Sequence, residues 1–162
     1  MRLFLALNFD APTTKRLAKL RDTAADYCPG ARFTPDENLH LTLVFLGEVQ
    51  DPAPVLEIVK RCRMKPIPVE FNGTRQLGDG LLCVGVKQTP ALMALQAELA
   101  AALEKAGFAL EAREFLPHVT LARRFTAQGY RLQFAPFSTT VARVSLMKSE
   151  PCRGGMRYTE LF

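Results

Sequence analysis

His40-Leu41-Thr42-Leu43 and His118-Val119-Thr120-Leu121 are two copies of one phrase, and they contain both histidines of the 162-residue chain. About half the chain separates them. The same residue types at the same offsets imply two halves of similar build, each bringing one imidazole and one hydroxyl to a shared site.

Strand geometry explains the spacing. Successive side chains in a strand point to opposite faces, so residues two apart project together. Around the first copy, alternation predicts Leu39, Leu41, Leu43 and Phe45 on one face and His40 with Thr42 on the other. Around the second, Val119 and Leu121 oppose His118 and Thr120. Each strand then anchors itself through an apolar face and presents an imidazole beside a hydroxyl. Histidine exchanges protons near neutral pH, and threonine can donate a hydrogen bond to an anionic oxygen. Two such pairs facing each other can hold a phosphate between an acid and a base. A single histidine in a strand is more often structural; the duplication, with no other histidine present, argues for function.

The bulk properties fit that idea without demanding it. A length of 162 residues suits one domain or two small lobes. A hydrophobic content of 48% and a charged content of 23% are ordinary for a globular chain. The net charge of +5 and pI near 9.2 favour a phosphorylated or polyanionic ligand. Lys60, Arg61, Arg63 and Lys65 make a mild basic cluster, read here as a solvated helix end. Cys28, Cys62, Cys83 and Cys152 are scattered with no C-x-x-C spacing, and the histidines have no cysteine nearby. No metal and no cofactor are therefore expected. Leu3 to Leu7 is too short for a signal-peptide core, and no segment approaches a membrane span. These features point to a cytoplasmic protein with no membrane partner and no obligatory protein partner.

Along the chain, strand and helix signals recur in the same order. Arg2 to Asn8 reads as a strand, and a helix runs from Pro12 to about Tyr27. Pro29-Gly30 breaks it, and Phe33 to Asn38 leads into a motif strand over about Leu39 to Leu46. Asp51-Pro52 opens a helix through Val55, Ile58 and Val59. Ile67 to Phe71 is strand-like, with Asn72-Gly73 as a turn signal. Leu81 to Val86 follows as a strand, and Thr89-Pro90 caps a helix whose buried stripe is Leu92, Leu95, Leu99 and Leu103. Gly107 closes it. Phe115 to Arg123 carries the second motif, Val141 to Met147 alternates like a strand, and Gly154-Gly155 turns into a last strand. Strand, helix, motif strand occurs twice with no linker between, which predicts one compact α+β unit of two lobes.

At these residues the chain resembles the 2H phosphoesterases, named for two His-x-Thr/Ser motifs. Within them it is similar to the bacterial RNA 2′,3′-cyclic phosphodiesterases, historically called 2′-5′ RNA ligases. The resemblance runs through Arg2 to Leu7, Glu37 to Val49, Pro117 to Arg123, Leu146 to Ser149 and Gly154 to Leu161. It implies an α+β fold of two pseudo-symmetric lobes, with antiparallel sheets forming a central cleft and helices outside, over residues 1–162. It also implies metal-independent hydrolysis of RNA 2′,3′-cyclic phosphate ends, or nucleotides so terminated, to 2′-phosphomonoesters. His40 would be the acid at the departing 3′ oxygen, His118 the base, and Thr42 and Thr120 the phosphate donors.

Arg123 follows the second motif as the resemblance requires, yet strict alternation puts Arg124 on the histidine face. A bulge or the strand end would bring Arg123 round. Phe33 and Phe45 are candidate base-stacking surfaces, with core packing favoured for Phe45. Two other functions compete. The same acid–base pair run in reverse would join RNA ends through a 2′-5′ linkage, and a non-catalytic RNA-end binding module could keep the cleft. Water outnumbers RNA ends, no Lys-x-Asp-Gly motif is present, and binding alone does not need two proton carriers. Hydrolysis is the favoured expectation.

Overall fold

The computed structural model describes residues 1–162. Its strands are β1 (Arg2–Asn8), β2 (Arg32–Phe33), β3 (His40–Glu48), β4 (Ile67–Leu77), β5 (Leu81–Val86), β6 (His118–Arg123), β7 (Phe137–Val141), β8 (Ser145–Cys152) and β9 (Gly155–Glu160). The helices are α1 (Ala11–Ala25), α2 (Ala53–Arg61) and α3 (Pro90–Lys105), with a short 3-10 turn at Asp36–Asn38. The fold is α+β. All strand pairs are antiparallel, in the order β7-β4-β5-β6-β3-β1-β8-β9, with β2 attached to β6.

That order divides at its middle. β3-β1-β8-β9 and β6-β5-β4-β7 are two four-stranded halves, and the motif strands β3 and β6 meet where they touch. The junction is narrow: Leu41 opposite Val119 is the one registered pair between the halves. Both side chains are fully buried. In each half the motif strand's inner neighbour precedes it in sequence through a helix: β1-α1-β3 and β5-α3-β6. The helices then cross over. α1 packs on β6 and α3 on β3, so each half's helix lies beneath the other half's motif strand. One apolar cluster joins Leu41, Leu43, Val119 and Leu121 of the motif strands to Leu17 of α1 and to Leu92, Leu95, Leu99 and Leu103 of α3. The leucine stripe of α3 is therefore where its period placed it.

Helix ends follow local chemistry. Asp10 caps α1 by accepting from the Thr13 amide at 2.9 Å, so the helix begins at Ala11, one residue ahead of the start expected at Pro12. Thr89 caps α3 by accepting from the Leu92 amide at 3.2 Å. Lys60 and Arg61 lie in the last turn of α2, where cations suit the helix dipole.

Three strand readings need correction. Asn72-Gly73 is no turn: β4 runs through it to Leu77, with a register shift between Phe71 and Thr74, and the hairpin turns at Gly78-Asp79-Gly80. An Asn-Gly step satisfies a bulge as well as a turn, because both need a residue at positive φ. The strand read at Val141 to Met147 is the end of β7 and the start of β8, divided by residues 142–144. Finally, both motif strands carry bulges, and these alter which residues reach the histidine face.

The Leu41–Val119 junction yields a direct test. Leu41→Ala leaves a hole in the one registered strand pair between the halves, and truncating a fully buried leucine costs about 2–5 kcal/mol. Urea unfolding should show a loss in that range. A loss below about 1 kcal/mol would mean the seam is not a packing element.

A candidate active site at the seam of two lobes

Continuing the Leu41–Val119 register by one residue either way sets His40 across from Thr120 and Thr42 across from His118. Directly opposed residues share a face and have Cβ atoms about 4.5–5.5 Å apart. Both histidines and both threonines thus come together on one patch, related by a local pseudo-twofold through the seam. All four are half-buried.

Each imidazole is anchored the same way. His40 Nδ1 donates to the Asn38 carbonyl at 2.6 Å, and His118 Nδ1 donates to the Leu116 carbonyl at 2.6 Å. A carbonyl can only accept, so each ring carries its neutral-state proton on Nδ1 and leaves Nε2 bare. His40 Nε2 accepts from the Thr42 hydroxyl at 2.9 Å. The chemically active nitrogens are therefore set by the carbonyl two residues upstream, in both halves alike.

The two motif strands also bulge at the same place. In β3, Thr42 pairs with Ala6 and Val44 with Leu5, so Leu43 is the extra residue. In β6, Thr120 pairs with Cys83 and Ala122 with Leu82, so Leu121 is the extra residue. A bulge leaves a carbonyl outside the ladder. Here both are met: Leu43 O accepts from Gln96 Nε2 at 3.3 Å, and Leu121 O accepts from the Thr34 amide at 2.9 Å.

These bulges settle two side chains. Past the extra residue, Val44 and Ala122 turn inward and Phe45 and Arg123 turn to the histidine face. Phe45 is 62% exposed and is not in the core, contrary to the alternation reading. Arg123 stands on the face of His118 and Thr120, while Arg124 follows the strand in a left-handed conformation at φ 54°. Phe33 goes the other way. It pairs with Ala122, is half-buried and packs on the main core, so it is not brought to the histidines.

Phe4 and Tyr158, distant in sequence, and the neighbouring Asn38 complete the surroundings of His40. Its ring lies 5.0 Å from the Phe4 ring and 5.2 Å, edge-on, from the Tyr158 ring. Phe4 in turn contacts Phe45 at 6.2 Å. Asn38, buried, donates its side-chain amide to the Met156 carbonyl at 2.9 Å while its own carbonyl holds His40. Burial in this setting pushes the His40 pKa down; the charges of His118 and Arg123 push the same way, and the Asn38 carbonyl pushes back. Beside Thr120, its cross-strand partner, Cys83 is fully buried and its thiol is pushed up to about 12 by that burial. It is an inert neighbour of the site. All four cysteines are free. No three His, Cys, Asp or Glu side chains cluster as a metal site, and no helix is long and apolar enough to cross a membrane.

Residues 9–151 match the profile of the 2′-5′ RNA ligase superfamily. The chain belongs to that superfamily. Among curated proteins it is 29% identical to the RNA 2′,3′-cyclic phosphodiesterase of Thermotoga maritima, over 100% of this chain and 94% of its relative. It is 30% identical to the enzyme of that name from Escherichia coli, over 99% and 93%. Among solved structures, TT0787 of Thermus thermophilus superposes with a TM-score of 0.88 at 25% identity, covering 100% of this chain and 96% of that one. Escherichia coli LigT complexed with 3′-AMP superposes with a TM-score of 0.83 at 28% identity, covering 99% and 95%. The superfamily thus spans the seam and both motif strands.

The lowered His40 pKa is open to measurement. With two histidines in the chain, NMR titration, assigned with a His118→Gln variant, should place the His40 midpoint below the ordinary value of about 6.5 in unliganded protein. Saturation with inorganic phosphate should move it upward, because an anion beside the ring favours the imidazolium. A midpoint at or above the ordinary value without ligand would refute the burial argument.

Proposed function

We propose that the chain hydrolyses RNA 2′,3′-cyclic phosphate ends to 2′-phosphomonoesters, with the two histidines as an acid–base pair. One observation carries this reading: two bare Nε2 atoms, each fixed by an identical Nδ1–carbonyl bond, share one face across the seam with Thr42 and Thr120. The names of the similar enzymes from Thermotoga maritima and Escherichia coli support the substrate class.

The chemistry follows from the donors present. His118 Nε2 takes a proton from water as the oxygen forms a bond to phosphorus. The P–O3′ bond breaks, and His40 gives the departing 3′ oxygen a proton from Nε2. The products are a 2′-phosphomonoester and a free 3′-hydroxyl. Thr42, Thr120 and Arg123 stabilise the negative charge that grows on the phosphate oxygens. His40 is the more enclosed ring, walled by Phe4 and Tyr158, which suits the group that delivers its proton to the leaving oxygen on the side away from the attacking water. His118 is the more open, which suits the group that activates water.

A lowered pKa on the acid is compatible with this division. A weaker-binding imidazolium transfers its proton more readily to the leaving oxygen, and the anionic substrate restores the proton on binding. The exposed Phe45 ring is the surface for the terminal base, in place of Phe33. Because each lobe supplies half of the site, residues 1–162 act as one unit. Hydrolysis is favoured over 2′-5′ joining because water competes with RNA hydroxyls for the same position. The four free thiols fit a cytoplasmic setting.

A 2′,3′-cyclic-phosphate oligonucleotide incubated with the protein in EDTA tests the reaction. The expected outcome is undiminished turnover to a 2′-phosphate end, identified against 2′- and 3′-phosphate standards. A mainly 3′-phosphate product would contradict the role given to His40. Loss of activity in EDTA, restored by a divalent cation, would contradict proton transfer by imidazoles alone.

A further inference from the structure

The two walls of the cleft differ in kind. The β1-β3-β9 wall presents Phe4, Phe45 and Tyr158 around His40. The opposite wall presents arginines. Arg32 of β2 pairs with Arg123 of β6, and Arg75 of β4 pairs with Cys83, whose other cross-strand partner is Thr120. Direct partners share a face, so all three arginines rise from the face that holds His118 and Thr120. All three are exposed. The ion pairs of the molecule use the N-terminus, Arg21, Arg61, Arg113, Arg143 and Lys148, and none uses these three.

Two details set this group apart from scattered surface charge. Like charges directly opposite each other destabilise a strand pair. Arg32 facing Arg123 is such a pair, and an anion between them relieves it. Arg75 has a route cleared for it. Gly85 stands opposite His118, and a Cβ there would lie 3.1 Å from Arg75 Cδ and 3.0 Å from Asn72 Oδ1. The missing side chain leaves room for the Arg75 stem over the Gly85 backbone. The charges of Arg75 and Arg123 both reach Cys83, which stands between Arg75 and Thr120 in the sheet.

We infer that Arg32, Arg123 and Arg75 form a phosphate-binding ridge for the backbone phosphodiesters on the 5′ side of the terminal nucleotide, so that the preferred ligand is an RNA chain. The inference rests on the proposed reaction. Strands lie about 4.8 Å apart, and β2 to β4 is three spacings, so the ridge spans roughly 14 Å. One reacting phosphate cannot occupy that length. With phosphates on this wall, the bases of the chain face the aromatic wall opposite, which a simple polyphosphate would leave empty.

Equilibrium binding separates the ridge from the reaction. Calorimetric titration of adenosine 2′-phosphate and of a tetraadenylate ending in a 2′-phosphate is repeated across salt concentrations. Each single-strand phosphate contact adds a slope of about −0.7 in log K against log salt. Two added contacts make the tetranucleotide steeper by about 1.4, an extra weakening of about sevenfold between 50 and 200 mM salt. In an Arg32→Gln, Arg75→Gln double variant the tetranucleotide slope should fall to that of the mononucleotide; Arg61→Gln, on α2, should leave it steep. Equal slopes for the two ligands in the wild-type protein, or an unchanged slope in the double variant, would overturn the ridge. Failure to open a cyclic phosphate would instead overturn the parent reaction, whatever the slopes.

Discussion

Everything at this site hangs from the pairing of β3 with β6 at Leu41 and Val119. An antiparallel pair has a local twofold axis, and two identical His-x-Thr phrases centred on it must cross their partners: histidine faces threonine on both sides. A slip of one residue would send one set of polar side chains into the core and one set of leucines to the surface. The buried pair at the seam thus does for function what it does for packing. It fixes register, and register fixes which two imidazoles meet.

The crossed helices explain why so short a seam suffices. α1 lies under β6 and α3 under β3, so the halves are clasped from beneath by elements that each belong in sequence to the other side. The same clasp reaches the bulges. Gln96 of α3 satisfies the carbonyl of Leu43, and the chain leaving α1 satisfies that of Leu121 through Thr34. Bulges re-aim side chains only where the exposed carbonyl finds a partner. Here the partners come from the elements that hold the halves together, so the turn of Phe45 and Arg123 toward the histidines is coupled to the core.

Symmetry ends at those two side chains. Equivalent positions carry an aromatic ring in one half and a guanidinium in the other, and the difference spreads outward to Phe4 and Tyr158 on one wall and to Arg32 and Arg75 on the other. A nucleotide has the same polarity, with an apolar base and charged phosphates. The enclosed ring of His40 and the open ring of His118 follow from that same asymmetry, which gives two identical motifs unlike surroundings.

Much of this is legible in the chain. The repeated strand-helix-strand order, the leucine stripe of α3 and the four polar motif residues all follow from local periodicity, which one sequence displays. The bulges do not. An extra residue in a strand changes nothing in composition, so alternation assigns Phe45 to the core and makes Arg124 the better-placed arginine. Arg123 is favoured only through the family resemblance. Phe33 is misplaced for a related reason: its face depends on its pairing with Ala122, beyond the bulge. Phe4, Tyr158 and Arg75 take their places through long-range strand pairing, which no local pattern records.

The central claim is that His40 and His118 act on one phosphate as a single acid–base unit. A double-mutant cycle measures this most directly, using single-turnover cleavage of a cyclic-phosphate oligonucleotide by His40→Ala, His118→Ala and the double variant. Loss of one general acid or base lowers rates by about 10²–10⁴. The account predicts that each single variant falls by that order and that the double variant is little slower than the slower single, since residues of one unit are non-additive. Folded single variants with near wild-type rates, or a double variant slowed by the product of the two single effects, would contradict it.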